Sequence, residues 1–179
     1  MIDISDIRKQ FPSLSRSVDN NTIIYLDGPA GTQVPQHVID GVSDYYINSN
    51  ANVHGEFITS KETDKIMDST RTKAASLLGA ESESCISIGQ NMTSLCFSLA
   101  HSFSKAFSAG DEVVITELDH EANRGPWKIL ENVGVIIKEV NLLDDGTIDY
   151  EDFKNKITDK TVLVAMGMSS NAIGTLNDF

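Results

Sequence analysis

A chain of 179 residues with 40% apolar side chains can bury one good hydrophobic core, which argues against an intrinsically disordered protein. The formal net charge of -12 argues against nucleic-acid binding, because that needs a concentrated basic patch. No apolar run approaches the ~18–20 residues of a membrane span, so we expect an acidic soluble protein without nucleic-acid or membrane partners.

The start of the chain and its two cysteines favour a cytoplasmic protein. The first residues, MIDISDIRKQFPSL, lack the basic-then-apolar pattern of a secretion signal. Cys85 and Cys96 show no metal-ligand spacing, so we expect no metal site. Both thiols are predicted to be reduced and buried, since a free cysteine packs as a small hydrophobic residue.

The first half of the chain predicts an N-terminal arm, one short strand and two helices. The arm, residues 1–20, contains a short helix that ends at Pro12, and residues 21–179 are assigned to one large domain. The apolar run 23–26 predicts a strand, which is closed by a Gly- and Pro-rich loop at 27–31. A helix follows Pro35, and an amphipathic helix is predicted over 60–78, with Gly79 as its C-terminal cap.

The second half alternates apolar runs with helical patterns, which is typical of parallel βαβ units. The predicted strands are 84–88, 112–116, 135–140 and 161–166, and the predicted helices are 91–105, 121–133 and 150–157. The run VLVAM is so apolar that it belongs in a sheet covered on both faces. The predicted fold class is therefore α/β, with a mostly parallel sheet and helices on both faces.

Ligands of such sheets sit beyond the carboxyl ends of the strands, so the loops there contain the candidate site residues. Gly89 to Ser94 opens a helix and can hold a phosphate, although a structural N-cap would look the same. His120 can cap a helix or lie over an aromatic ligand, and Asn171 can form a turn or offer its amide to a ligand. The loop around His54 is equally ambiguous.

Taken together, these loops indicate one protein family far more specifically than any single loop does. The segments YLDGPAG, NANVHG, GQNMTS, ITELDHEANRGPW and SSNAIGT occur in this order from about Ile7 to the last residue. Their order resembles the class V aminotransferases, which are fold-type I enzymes dependent on pyridoxal 5'-phosphate (PLP), and in particular the cysteine-desulfurase-like branch. The resemblance implies the incomplete large domain of such an enzyme.

The resemblance also implies roles for individual residues. The cofactor phosphate would sit on Gln90, Asn91 and Met92. His120 would stack on the pyridine ring as the candidate catalytic residue, and Asn171 would hydrogen-bond the 3'-oxygen of the ring. The expectation is that Asn91, His120 and Asn171 surround one flat, phosphorylated ring.

The resemblance also implies that residues of two other loops lie near the substrate. Ala30, with Pro29 before it, and His54 would lie near an amino-acid substrate. The substrate itself stays open, as does the choice between desulfurase, transaminase, lyase and epimerase chemistry. Such enzymes build their active site at a subunit interface, so a homodimer is expected.

Three parts of the family pattern do not occur in this chain. The aspartate at the ring nitrogen, the Schiff-base lysine within Ser-x-His-Lys and the arginine that grips the substrate carboxylate would all follow Phe179. We therefore expect an N-terminal fragment with negligible turnover on its own. The alternative is a non-catalytic α/β binding or interaction module that kept the scaffold; a dinucleotide-binding domain is disfavoured because no G-x-G-x-x-G follows a predicted strand.

Departures from the desulfurase pattern occur inside the matched loops. The chain has Gly89-Gln90-Asn91-Met92 where Gly-Thr-Thr-Glu is typical. Gly55 replaces an arginine, and Glu121 replaces a second histidine. These differences count against cysteine as the substrate and favour a desulfurase-like subgroup. The nucleophilic cysteine of a desulfurase would also lie downstream, so neither cysteine of this chain takes that role.

Overall fold

The computed structural model describes residues 3–178, in which the chain forms two compact units. The N-terminal unit is Met1–Ile88 and the C-terminal unit is Gly89–Phe179. The predicted arm, residues 1–20, belongs to the first of them, and its separation from a large domain stays a prediction. Within residues 3–178, no helix combines the length and apolarity needed to cross a membrane.

The N-terminal unit is mainly helical. Its elements are α1 (Ile4–Lys9), a 3₁₀-helix (Pro12–Ser15), a hairpin of β1 (Ser17–Val18) and β2 (Asn21–Thr22), a 3₁₀-helix (Gly28–Ala30), α2 (Gln36–Asn48), α3 (Ile58–Leu78) and a 3₁₀-helix (Glu83–Cys85). Helix α3 confirms the prediction over 60–78, and it ends as expected because Gly79 adopts the left-handed conformation, with φ of 67°.

Two predicted strands of this unit are wrong. Residues 23–26 form no strand, and Ile24 and Leu26 are 81% and 90% exposed. Residues 84–88 begin in the 3₁₀-helix Glu83–Cys85 and continue without strand pairing among the described residues. An apolar run becomes a strand only where another strand supplies hydrogen bonds, and whether such a partner exists is not decided by the local sequence.

The same correction applies to one of the cysteines. Cys85 lies in the 3₁₀-helix rather than in a buried strand, and it is exposed. Cys96 is buried on helix α4 (Met92–Phe103), as predicted, and its burial raises the pKa of the thiol.

The C-terminal unit confirms the α/β fold. After α4 come β3 (Glu112–Thr116), a 3₁₀-helix (Glu121–Asn123), α5 (Gly125–Lys128), a 3₁₀-helix (Ile129–Val133), β4 (Ile136–Val140), α6 (Tyr150–Lys156) and β5 (Thr161–Ala165). The strands form a parallel sheet in the order β4-β3-β5. The single helix predicted over 121–133 is wrong in its continuity: the helical backbone breaks at Arg124, and α5 begins after it with Pro126 in its first turn, a position that proline favours.

Strand β3 is buried on both faces of this sheet. Val113 and Ile115 pack on one side with Trp127 and Leu130, and Val114 packs on the other side in a cluster with Val140 and Ile148. Helices therefore cover both faces of the sheet at its centre.

The run VLVAM, predicted to have that environment, contributes residues 162–165 to β5, which is an edge strand of this sheet. Val162 and Val164 are exposed there, since the described residues place no helix over this side of the edge strand.

A polar cluster lies at the amino end of the sheet, away from the candidate site. Glu112 accepts hydrogen bonds from Lys138 Nζ at 2.6 Å and from Thr158 Oγ1 at 2.6 Å. These two donors hold the pKa of the Glu112 carboxyl below its ordinary value.

This lowered pKa predicts a pH-dependent effect of Glu112→Gln. The stabilisation from ionised Glu112 is fully present above the ordinary glutamate pKa of about 4.3, and it is lost as the pH falls through the lower folded-state pKa. The substitution should therefore destabilise the protein near neutral pH, and its effect should shrink toward zero in acid. Urea unfolding at a series of pH values tests this, with Glu131→Gln at an exposed site as the control. An effect of Glu112→Gln that is equal at all pH values would contradict the prediction.

Candidate functional site

The candidate site lies at the carboxyl ends of the adjacent strands β3 and β5. The loop after β3 contains Asp119 and His120, and the loop after β5 runs from Met166 through Gly167 to Asn171. The Gly167 N–H donates to Asp119 Oδ1 at 2.9 Å, so the two loops are in direct contact. This is the edge at which parallel sheets bind ligands.

His120 is held by backbone hydrogen bonds at the start of the 3₁₀-helix Glu121–Asn123. Its Nδ1 accepts from the Ala122 N–H at 3.1 Å, and its carbonyl oxygen accepts from the Asn123 N–H at 2.7 Å. Because Nδ1 is an acceptor, the neutral ring has its proton on Nε2. The residue is exposed, and its Nε2 makes no hydrogen bond among the described residues. The capping alternative is confirmed, and the ring still offers a donor.

Asn91 is the N-cap of helix α4. Its Oδ1 accepts from the Ser94 N–H at 2.9 Å, which is the structural role considered for it. The N–H groups of Met92 and Thr93 have no acceptor within a helix, and none is found elsewhere in residues 3–178. An uncompensated helix N-terminus of this kind can receive an anion, so capping and phosphate binding are compatible here.

A cavity joins this helix terminus to the histidine loop. Its volume is about 330 Å³, and it is lined by Thr93, Phe97, His120, Glu121, Ala122, Gly125 and Pro126. The first turn of α4 and His120 therefore face one space, although Gln90, Asn91 and Met92 are not among its lining residues. Thr93 and Phe97 are site residues that the sequence patterns above do not predict; their spacing of four on a predicted helix is the signal that places them on one face.

Asn171 lies in a turn at 171–173, in the loop after β5. The buried Ser170 organises this turn, since its Oγ accepts from the N–H groups of Ala172 and Ile173 at 3.2 and 3.3 Å. Asn171 itself is exposed, and its side-chain amide makes no hydrogen bond among the described residues. The amide is thus available to a ligand, and its meeting with His120 at one ring stays a prediction.

The predicted substrate residues belong to the N-terminal unit. Ala30 is exposed at the end of the 3₁₀-helix Gly28–Ala30, and His54 is exposed in the loop before α3. The backbone of His54 has a φ of 67°, and its N–H donates to Asp64 Oδ1 at 3.1 Å. The buried Ser60 fixes the same loop, because its Oγ donates to the Asn52 carbonyl oxygen at 2.6 Å. A substrate role for Ala30 and His54 stays a prediction.

Two of the departures from the desulfurase pattern, Gly55 in the N-terminal unit and Glu121 in the C-terminal unit, have distinct surroundings. At Gly55 a Cβ atom would lie 2.5 Å from Phe57 Cε1 and 2.9 Å from Ser60 Oγ, so a larger residue needs a rearranged loop. Glu121 lines the cavity beside His120, and its carboxylate lies 4.0 Å from Arg124 Nη1.

The chain is similar to known proteins over most of its length. The family model described as Aminotransferase class-V matches residues 24–179. A probable cysteine desulfurase of Streptomyces coelicolor is 34% identical over 99% of the chain and 44% of its own length. One of Borreliella burgdorferi is 37% identical over 96% of the chain and 42% of its own length.

A solved structure is also similar to this chain. The apo structure of a cysteine desulfurase from Thermococcus onnurineus superposes with a TM-score of 0.85 at 28% identity, over 98% of this chain and 42% of that one. The chain spans less than half the length of these relatives. Because the family model matches most of the chain, including both loops of the candidate site, the protein belongs to the class V aminotransferase family.

Proposed function

We propose that this chain supplies part of a PLP-dependent, cysteine-desulfurase-like enzyme that acts on an amino acid. The observation that carries the proposal is the shared cavity, in which the first turn of α4 and His120 face the same space at the carboxyl edge of the sheet. The contact between the loops after β3 and β5 brings the loop of Asn171 to this edge as well.

The residues present fit the chemical groups of PLP. Its phosphate suits the open N–H groups of Met92 and Thr93, where the helix dipole favours an anion. Its flat ring suits a stacked imidazole at His120, and its 3'-oxygen suits the unbonded amide of Asn171. When bound, PLP supplies the electron sink for chemistry at the α-carbon of an amino acid.

The contribution of this chain is orientation. The Ala122 N–H fixes the imidazole of His120 through Nδ1, so the ring keeps one tautomer and presents Nε2–H. Ser94 closes the first turn of α4 by donating two hydrogen bonds to Asn91, from its N–H to Oδ1 at 2.9 Å and from its Oγ to the carbonyl oxygen at 3.0 Å, which keeps the neighbouring N–H groups aligned. A fixed geometry of this kind lowers the entropic cost of holding a cofactor and a substrate.

The relatives' names make cysteine the first substrate to test. Gly55 and Glu121 differ from the usual desulfurase residues, so we also propose amino acids without sulfur as candidates. Ala30 and His54 are the proposed substrate neighbours. We further propose that the whole protein is a homodimer and that it acts in the cytoplasm.

We propose that no lysine of this chain forms the Schiff base with the cofactor. Lys138 and Lys156 are the partly buried ones at the sheet, and both are engaged, with Glu112 and with Asp152 at 2.6 Å. Lys154 is held by Glu151 on the surface of α6. The isolated chain is therefore expected to show negligible turnover.

Two parallel measurements test this proposal. The full gene product is purified, its PLP content is read from visible absorption, and release of sulfide and other products from cysteine is compared with turnover of sulfur-free amino acids. The 179-residue chain is incubated with PLP and borohydride, and its lysines are mapped by mass spectrometry. We expect a PLP-containing, active gene product and no reduced lysine adduct on the chain. A gene product without bound PLP, or a stoichiometric adduct on one of these lysines, would refute the proposal.

A further inference from the structure

The carboxylate of Asp119 joins three parts of the C-terminal unit. Its Oδ2 accepts from Thr116 Oγ1 at 2.6 Å, and its Oδ1 accepts from Asn123 Nδ2 at 2.9 Å and from the Gly167 N–H at 2.9 Å. These donors belong to the end of β3, to the 3₁₀-helix after His120 and to the loop after β5. One side chain thus binds the two loops that flank the candidate site.

Two of the groups that donate hydrogen bonds to the Asp119 carboxylate are themselves held in place. Thr116 is fully buried at the end of the central strand, and Asn123 is buried in the 3₁₀-helix. Trp127 Nε1 donates to Asn123 Oδ1 at 3.0 Å, so the Asn123 amide must direct its NH₂ group toward Asp119. A network in which every donor has its acceptor keeps one geometry.

The contact between Asp119 and Gly167, in the loop after β5, is also close. A Cβ atom on Gly167 would lie 2.9 Å from Asp119 Oδ1, closer than carbon and oxygen approach without a shift. The carboxylate cannot easily yield, because Thr116 and Asn123 also hold it. A side chain at position 167 would therefore force either the loop after β5 or the carboxylate to move.

We infer that Asp119 is a positioning residue, which sets the spacing between the His120 loop and the loop that leads to Asn171. This inference rests on the proposed function, since the ring of a cofactor would lie between groups from these two loops. Asp119 acts through His120 and Asn171, and it is not among the residues that line the cavity. Its loss should widen the gap between the loops without removing any ligand-binding group.

The test combines amide hydrogen exchange with PLP binding in the full gene product. Asp119→Ala removes all three hydrogen bonds. Asp119→Asn keeps Oδ1 for Asn123 and Gly167, while the Thr116 hydroxyl can accept from the new amide. Asp145→Ala is the control, because Asp145 makes a similar local bond, to Thr147 Oγ1 at 2.6 Å, in the turn between β4 and α6.

We expect Asp119→Ala to speed exchange of the Gly167 amide and to weaken PLP binding by about tenfold. Asp119→Asn should restore both properties to near the wild-type values, and Asp145→Ala should change neither. Unaltered Gly167 exchange in Asp119→Ala would overturn the inference, as would faster exchange with unaltered PLP affinity. If the wild-type protein binds no PLP, the proposed function fails, and the exchange data alone then decide whether Asp119 joins the loops.

Gly167→Ala tests the same contact from the opposite side if Asp119→Ala does not fold. The added methyl group should push the loop away from an intact carboxylate and reproduce both the faster exchange, read at residues 117–123, and the weaker binding. A Gly167→Ala protein that matches the wild type in both measurements would overturn the inference.

Discussion

Replacing Trp127 with alanine is expected to lower the free energy of unfolding of the C-terminal unit by about 3–5 kcal/mol. The side chain is 5% exposed and packs in the cluster that contains Val113, Ile115 and Leu130 beside the sheet. Its ring stacks on Phe103 with centroids 6.3 Å apart. Alanine would leave a large cavity there, because a packed core relaxes only partly around a deleted side chain.

The substitution also removes a hydrogen-bond donor. Without Trp127 Nε1, the Oδ1 atom of the buried Asn123 loses its partner, and the amide that holds Asp119 loses its fixed orientation. Trp127→Phe separates the two effects, since it keeps an aromatic ring and removes the donor. We therefore expect Trp127→Phe to cost clearly less than Trp127→Ala.

Chemical unfolding followed by circular dichroism measures these changes. Leu99→Ala is the control, because Leu99 lies on α4 in the same unit and is 49% exposed. It should cost less than about 1 kcal/mol, as exposed substitutions usually do. Equal effects of Trp127→Ala and Leu99→Ala would show that Trp127 does not anchor the core.

The predictable part of the fold is the part in which local pattern and long-range pairing agree. The sequence predicts β3 to the residue and β4, β5 and α6 to within one residue, because each apolar run or helical pattern meets its partner inside the C-terminal unit. The runs 23–26 and 84–88 have the same local character and find no partner strand among the described residues. Pairing is decided by residues distant in sequence, which a local pattern cannot report.

The same limit applies to the candidate site, where a local pattern predicts the short-range contacts but not those between distant residues. The position of His120 after a strand and that of Asn91 before a helix follow from the pattern, and their capping contacts were among the alternatives considered. The role of Asp119 could not be predicted, since its hydrogen bond to Gly167 spans 48 residues. An acidic residue directly before a histidine, in a loop after a strand, is the only local hint of that contact.

His120→Ala is expected to reduce kcat/KM of the full gene product by about 100-fold or more toward the amino acid that it accepts. Under the proposed function, the imidazole lies against the cofactor ring in an orientation fixed by the Ala122 N–H. Alanine removes both the stacked surface and the Nε2 donor, so the ring can tilt away from its reactive alignment. A misplacement of about 1 Å is enough to reduce the rate about 100-fold.

Two variants separate the functions of this side chain. His120→Phe keeps a flat surface without the Nε2 donor, so it should retain PLP better than His120→Ala while its kcat stays low. His101→Ala is the matched control, because His101 is an exposed histidine in the last turn of α4, at the opposite end of the helix from Asn91. Steady-state kinetics and visible circular dichroism of bound PLP distinguish loss of cofactor from loss of rate. If His120→Ala and His101→Ala retain equal activity and equal cofactor signals, the ring of His120 does not contact the cofactor, and stacking at this position must be abandoned.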